Sequence, residues 1–154
     1  MTATSGFVGG MYTSPLITRT NWKIEGHLKG HEKSVNIARF NPMLKKEMVK
    51  GKLACSSYFA TSGGDSNICI WKTGEENAFF IIRQAFLSGV NDLTWGMNGN
   101  LLFACSNDGE ICVCHFRPGV LGEFLNTKEK EQIFLQNYGE EVMKEHILRN
   151  KVEI

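Results

Sequence analysis

The sequence predicts an all-β fold built from repeated short antiparallel strands, closed by a short helical segment. Three observations lead there. Between Gly30 and Trp71, short apolar or alternating runs are separated by turn residues rather than by helical spacing. The same pattern returns between Val90 and Phe116. The two turn aspartates, Asp65 and Asp108, lie 43 residues apart, a period typical of repeat architectures rather than of a single sandwich.

Within the first unit, Val35, Ile37 and Arg39 alternate with Asn36, Ala38 and Phe40. Asn41-Pro42 is expected to end that strand, because proline lacks a donor and biases its predecessor to extended geometry. Tyr58–Ser62 forms the second strand, and Gly63-Gly64-Asp65 supplies the permissive backbone and the side-chain acceptor of a tight turn. Asn67–Trp71 is the third strand and Phe79–Arg83 reads as an outer fourth. Residues 43–57, with Lys45, Lys46, Lys50 and Lys52 against Glu47, interrupt this unit and are expected to be a solvated loop. A basic contact for an acidic partner or DNA is the sharper alternative.

Gly30-His31, Val35, Phe40-Asn41-Pro42, Ala60-Thr61, Asp65 and Trp71, in that order and spacing, resemble one WD40 repeat. The resemblance implies a β-propeller, here an incomplete array of about two blades plus an outer strand. It also implies a structural hydrogen-bond network of His31, Thr61, Asp65 and Trp71, stable only when every member is satisfied. Lys72 stands where the family often has Asp. The domain reading is residues 1–29 as an outer strand of a preceding blade and lead-in, 30–86 as a blade carrying the 43–57 insertion, 87–117 as a second blade, and 118–154 as a helical segment. In the second unit, Val90–Trp95 and Leu101–Ser106 repeat the first two strands, Asn107-Asp108-Gly109 forms the turn, and Glu110–Phe116 supplies the third strand. Phe86, Ala104 and Cys114 replace His31, Thr61 and Trp71 there, so this blade is expected to be degenerate, with apolar packing in place of the network.

Elsewhere, Thr13–Thr20 reads as an outer strand. Asn126 with Glu129 three residues on marks a helix start, Thr127–Gln136 a helix, Gly139 its stop, and Glu140–Asn150 a second helix. His27 and His31 have the i,i+4 spacing of a helical metal pair, but Gly26 and Gly30 make such a helix poor and no third ligand lies near. Cys112, Cys114 and His115 do not converge on a strand, since the cysteines share one face and His115 takes the other. All five cysteines are read as packing residues. Net charge is +1 and charged residues make up 21%, which gives no overall basic surface for nucleic acid. The start of the sequence lacks a basic, then apolar, secretory pattern, and a reduced intracellular compartment is expected. Motifs for phosphate cradling, nucleophile elbows and zinc hydrolysis do not occur, so no enzyme, cofactor or metal is expected.

Asn21-Trp22-Lys23, Gly30-His31, Ala38–Pro42 with its lysine-rich insertion, the second blade and the tail Leu121-Gly122-Glu123 to Tyr138-Gly139 together resemble the last blades of the N-terminal propeller of the HIRA/Hir histone chaperone family. The middle subunit of chromatin assembly factor 1 carries a related propeller. The resemblance implies a nuclear, non-enzymatic subunit that handles histones H3 and H4 in replication-independent nucleosome assembly and influences transcription, including repression. Its expected partners are H3–H4 and other subunits of a histone chaperone complex, with chromatin engaged indirectly; no membrane or small-molecule substrate is expected. A generic WD40 scaffold is the alternative. Because the family's ring has seven blades, the resemblance also implies a piece of a longer chain. An open array leaves faces and edges bare, so poor stability or aggregation is expected in isolation.

Overall fold

A computed structural model describes residues 6–8, 11–17 and 22–150. Three antiparallel sheets carry the described chain. The first contains β1 (Gly6–Val8), β2 (Met11–Ile17) and β3 (Ile24–His31) in that order. The second orders β4 (Val35–Val49), β5 (Lys52–Gly63), β6 (Ile68–Lys72) and β7 (Phe80–Ile82) as a four-stranded meander. The third holds β8 (Val90–Trp95), β9 (Leu101–Ser106) and β10 (Ile111–His115). Helix α1 runs Thr127–Asn150 and is broken at Gly139, whose φ of 78° and ψ of 173° are not helical.

Blades one and two, as the second and third sheets are called below, pack face to face. Ile37, Tyr58, Ala60, Ile68 and Ile70 from blade one meet Val90, Leu93, Trp95, Leu102 and Ala104 from blade two in one core, which Phe86, Phe116 and Leu121 complete. The alternation read in the sequence explains this: in β8 the buried residues are Val90, Leu93 and Trp95, with a register shift between Val90 and Asp92 that carries the buried set across an irregularity. On its far face blade one buries Phe59, Cys69 and Trp71 against Leu28 of β3.

Polar contacts tie the same interface. The Asn41 side chain is buried; its Nδ2 donates to the Gly99 carbonyl at 2.8 Å while its Oδ1 accepts from the Met43 amide at 2.8 Å. Trp95 Nε1 donates to the Arg39 carbonyl at 3.0 Å, and Arg39 meets Asp92 at 2.8 Å on the exposed rim.

Four expectations change. Residues 43–57 are not a loop. β4 and β5 continue through them as a paired arm, in register from Leu44↔Ser57 to Val49↔Lys52. Its tip, Lys50-Gly51, has φ of 50° and 76°, the doubly left-handed two-residue turn whose twist matches a hairpin. Asn41-Pro42 does not end the strand either; β4 passes through an irregularity between Phe40 and Leu44, the kind of place where a sheet tolerates proline. Gly26-His27, within the lead-in read over residues 1–29, and Gly30-His31, read as opening the blade, both lie in strand β3, Ile24–His31, which pairs with β2. The outer strand expected at Thr13–Thr20 is β2, Met11–Ile17, and the rest of that expectation lies outside the described residues.

The C-terminal segment is stitched to the arm. Lys46 donates its amide to the Glu123 carbonyl at 2.7 Å, and the Leu125 amide donates to Leu44 at 2.8 Å. Leu121, Leu125 and Ile133 are buried. Helix α1 starts with a reciprocal cap: the Glu129 amide donates to Asn126 Oδ1 at 3.0 Å, and Glu129 Oε2 accepts the Asn126 amide at 2.9 Å. Lys46 reaches across to Glu129 and lowers that carboxyl below its ordinary value.

Gly99 has φ of 72°, and an added Cβ would lie 2.6 Å from Asn41 Oδ1 and 2.8 Å from the Met43 side chain. Gly99→Ala therefore both strains the backbone and breaks the Asn41 bridge between blades. It is expected to lower stability by about 1–3 kcal/mol, measured as a shift of the urea midpoint; an unchanged midpoint would show that the bridge contributes nothing.

Candidate functional site

The four residues singled out in the first blade come from four elements. His31 ends β3, Thr61 lies in β5, Asp65 in the turn after it, and Trp71 in β6. The fold brings all four side chains into one hydrogen-bonded chain. Trp71 Nε1 donates to Thr61 Oγ1 at 2.7 Å, and Thr61 Oγ1 lies 2.8 Å from His31 Nε2. His31 Nδ1 lies 2.9 Å from Asp65 Oδ2. An indole is donor only and a carboxylate acceptor only, so with a neutral imidazole at His31 the polarity of the chain is fixed. Trp71 N–H donates to the threonine oxygen, the threonine O–H donates to Nε2, and Nδ1–H donates to Asp65.

Register explains why the residues meet. Thr61 stands beside Cys69, two residues before Trp71, and Phe59 pairs directly with Trp71; the diagonal across β5 and β6 places hydroxyl and indole on one face. Phe59 and Trp71 stack with centroids 6.3 Å apart. Asp65 also takes the amides of Glu32 at 2.8 Å and Asn67 at 3.2 Å, holding the entry to β4 against its own turn. Burial alone would raise its pKa, but the bond from His31 and these amides outweigh it and hold the carboxyl at about 2.

Blade two keeps one part of this arrangement. Asp108 accepts from the amides of Leu87 and Ser88 at 3.1 and 3.2 Å and from Glu110 at 3.1 Å, and its other main partner is the Ser106 hydroxyl. That hydroxyl lowers its pKa most. The offset from Glu32 to Leu87 puts Phe86 at the place of His31, and Phe86 is buried in the inter-blade core. Ala104 is buried in the same core, and Cys114 is half-buried against it.

No group of three or more His, Cys, Asp or Glu side chains converges among the described residues. His27 and His31 lie on strand β3, not on a helix, and both ring nitrogens of His31 have protein partners. Cys112 and Cys114 share a face with their sulfurs 3.8 Å apart, and His115 is exposed on the other side. Burial pushes the thiols of Cys69 and Cys114 up to about 12, with the neighbouring Cys112 adding to the second, which makes both poor nucleophiles near neutrality. Among the described residues no helix is long and apolar enough to cross a membrane.

Sequence reasoning did not single out Asn41 or Trp95 as contacts between blades. The Asn-Pro dipeptide was a signal only for a strand end, and nothing local announces a partner 58 residues away.

The depressed pKa of Asp65 gives a pH signature. The folded value lies below the unfolded one, so the contribution is present above pH about 4 and is lost as pH falls from about 4 toward 2. In urea titrations between pH 6 and 2, Asp65→Asn is expected to be less stable than the parent at pH 6 and to close part of that gap by pH 2. A gap independent of pH would contradict the assignment.

Comparison with known proteins agrees with this geometry. The model of the "WD domain, G-beta repeat" family matches residues 22–72 and 83–115. Protein HIR1 of Mycosarcoma maydis is 30% identical over 124 residues, covering 80% of this chain and 12% of the relative. Protein HIRA of Homo sapiens is 30% identical over 132 residues, 82% of this chain and 13% of the relative. Protein HIRA of Dictyostelium discoideum is 29% identical over 136 residues, 88% and 12%. The chain thus spans about an eighth of the length of the curated relatives it matches. With the repeated blades, the turn aspartates and these matches together, the chain belongs to the WD40-repeat family.

Proposed function

We propose that this chain is part of the propeller of a HIRA-like histone chaperone subunit, acting by protein–protein contact rather than catalysis. In this reading it works in the nucleus with histones H3–H4 and other chaperone subunits, in replication-independent nucleosome assembly, and touches transcription, including repression, through that role. The observation that carries the reading is similarity to HIRA and HIR1 proteins over four-fifths or more of the chain, extending beyond the repeats into the C-terminal segment. A WD40 framework alone would favour only a scaffold, including one like the middle subunit of chromatin assembly factor 1. Within the framework, the proposed units are residues 30–86 and 87–117 as successive blades, 1–29 as part of a preceding one, and 118–154 as a segment docked to their rim. His31, Thr61, Asp65 and Trp71 are proposed to be structural, fixing blade one so that its loops present a defined surface.

The test is affinity isolation of the tagged full-length protein from nuclear extract at physiological salt. Recovery of H3 and H4 with further chaperone subunits is the expected result. Enrichment of a different complex without histones would leave the general scaffold and remove the chaperone reading.

A further inference from the structure

The arm made by the outer halves of β4 and β5 stands on a neutralised base. Lys45 lies 3.7 Å from Glu47, which also meets Lys72 at 3.0 Å. Lys46 is shared between Glu123 and Glu129. Toward the tip the charge is no longer balanced: Lys50 and Lys52 are exposed and have no carboxylate within ion-pair distance among the described residues. Met48 and Val49 between them and the base are 63% and 52% exposed.

Among the described residues, hydrogen-bond parity leaves the outer part of β5 without a strand partner on its far side. Leu44 and Lys46 direct their backbone groups outward to the segment around Glu123 and Leu125, and Ser57 does so to Thr73. In an antiparallel ladder every second residue faces the same way, so Leu53 and Cys55 turn their backbone groups away from β4. β6 does not reach them, since its pairing ends at Tyr58↔Lys72. Across the arm Met48 pairs with Leu53, giving an apolar face, and Val49 pairs with Lys52, putting a cation on the other.

We propose that this edge, Leu53–Cys55 with Lys50 and Lys52 at its corner, receives an extended acidic segment of a partner protein as an added strand. Alternate apolar side chains of that segment lie along Met48 and Leu53, and its carboxylates face Lys52 and Lys50. Nucleic acid fits less well. Two unpaired lysines would neutralise only about two phosphates, and the apolar face has no use for a phosphate backbone. The inference concerns this arm alone and does not require the partner to be a histone chaperone subunit.

The test is fluorescence anisotropy on the full-length protein with a labelled peptide of about eight residues alternating glutamate and valine, roughly 26 Å when extended. Controls are the same peptide with serine for valine and a DNA duplex of roughly 20 base pairs. The variant Lys50→Asn with Lys52→Glu keeps a residue tolerant of the left-handed turn and removes the charge. The glutamate–valine peptide is expected to bind, the variant to weaken it about tenfold or more, corresponding to about 1.4 kcal/mol, and the serine peptide to bind less well. Absence of binding, equal binding by the variant, or tighter binding of the duplex than of the peptide would overturn the proposal.

Discussion

A hydrogen-bonded chain from an indole to a carboxylate runs through the first blade, and much of the local geometry follows from it. Trp71, Thr61, His31 and Asp65 each contribute the one donor or acceptor that the next requires. Asp65 then carries the chain into the backbone through the amides of Glu32 and Asn67. The side chain that ends β3 is thereby fixed to the β5–β6 turn, and the entry to β4 is set. Thr61 is buried, as are His31 and Trp71, so an unmet partner anywhere along the chain would leave a buried polar group exposed to its full desolvation cost, on the order of 1–3 kcal/mol.

Blade two solves the same geometric problem differently. Its turn aspartate still gathers three backbone amides, because that service needs only a carboxylate at a turn. The interior positions have become Phe86 and Ala104, both in the shared core. A phenylalanine has no polar group to satisfy, so the loss of the threonine and tryptophan leaves no orphan. The two blades then depend on each other through packing, with Trp95 stacked on Phe116 at 5.6 Å and its indole bound to blade one at Arg39.

What was legible in the sequence was what local chemistry dictates. Alternation located β8 and β9 within a residue or so, Asn126 and Glu129 gave the start of α1, and Gly139 marked its break. The resemblance to a WD40 repeat, not local chemistry, pointed to His31, Thr61, Asp65 and Trp71, whose side chains the fold joins by hydrogen bonds. Residues 43–57 were misread because lysine-rich composition resembles a solvated loop, whereas Lys45 and Lys46 find carboxylates on β4 itself, at Glu123 and in α1. The signal for a strand was present in Lys50-Gly51, a two-residue turn flanked by Val49 and Lys52 with the apolar pair Met48 and Leu53 next to them. Asn41 was misread for a related reason: proline after it punctuates the chain locally, but the bridge to Gly99 is a tertiary contact.

His31 of the first sheet and Thr61, Asp65 and Trp71 of blade one act as a unit joined end to end by hydrogen bonds. A double-mutant cycle with Trp71→Phe and Asp65→Asn, read by urea unfolding near neutral pH, addresses it most directly. Each change removes one end of the chain while keeping its shape nearly intact. Strong non-additivity is expected, an interaction energy of about 1 kcal/mol or more. Losses that add to within about 0.3–0.5 kcal/mol would mean that the indole and the carboxylate stabilise the blade independently, and would contradict such a unit.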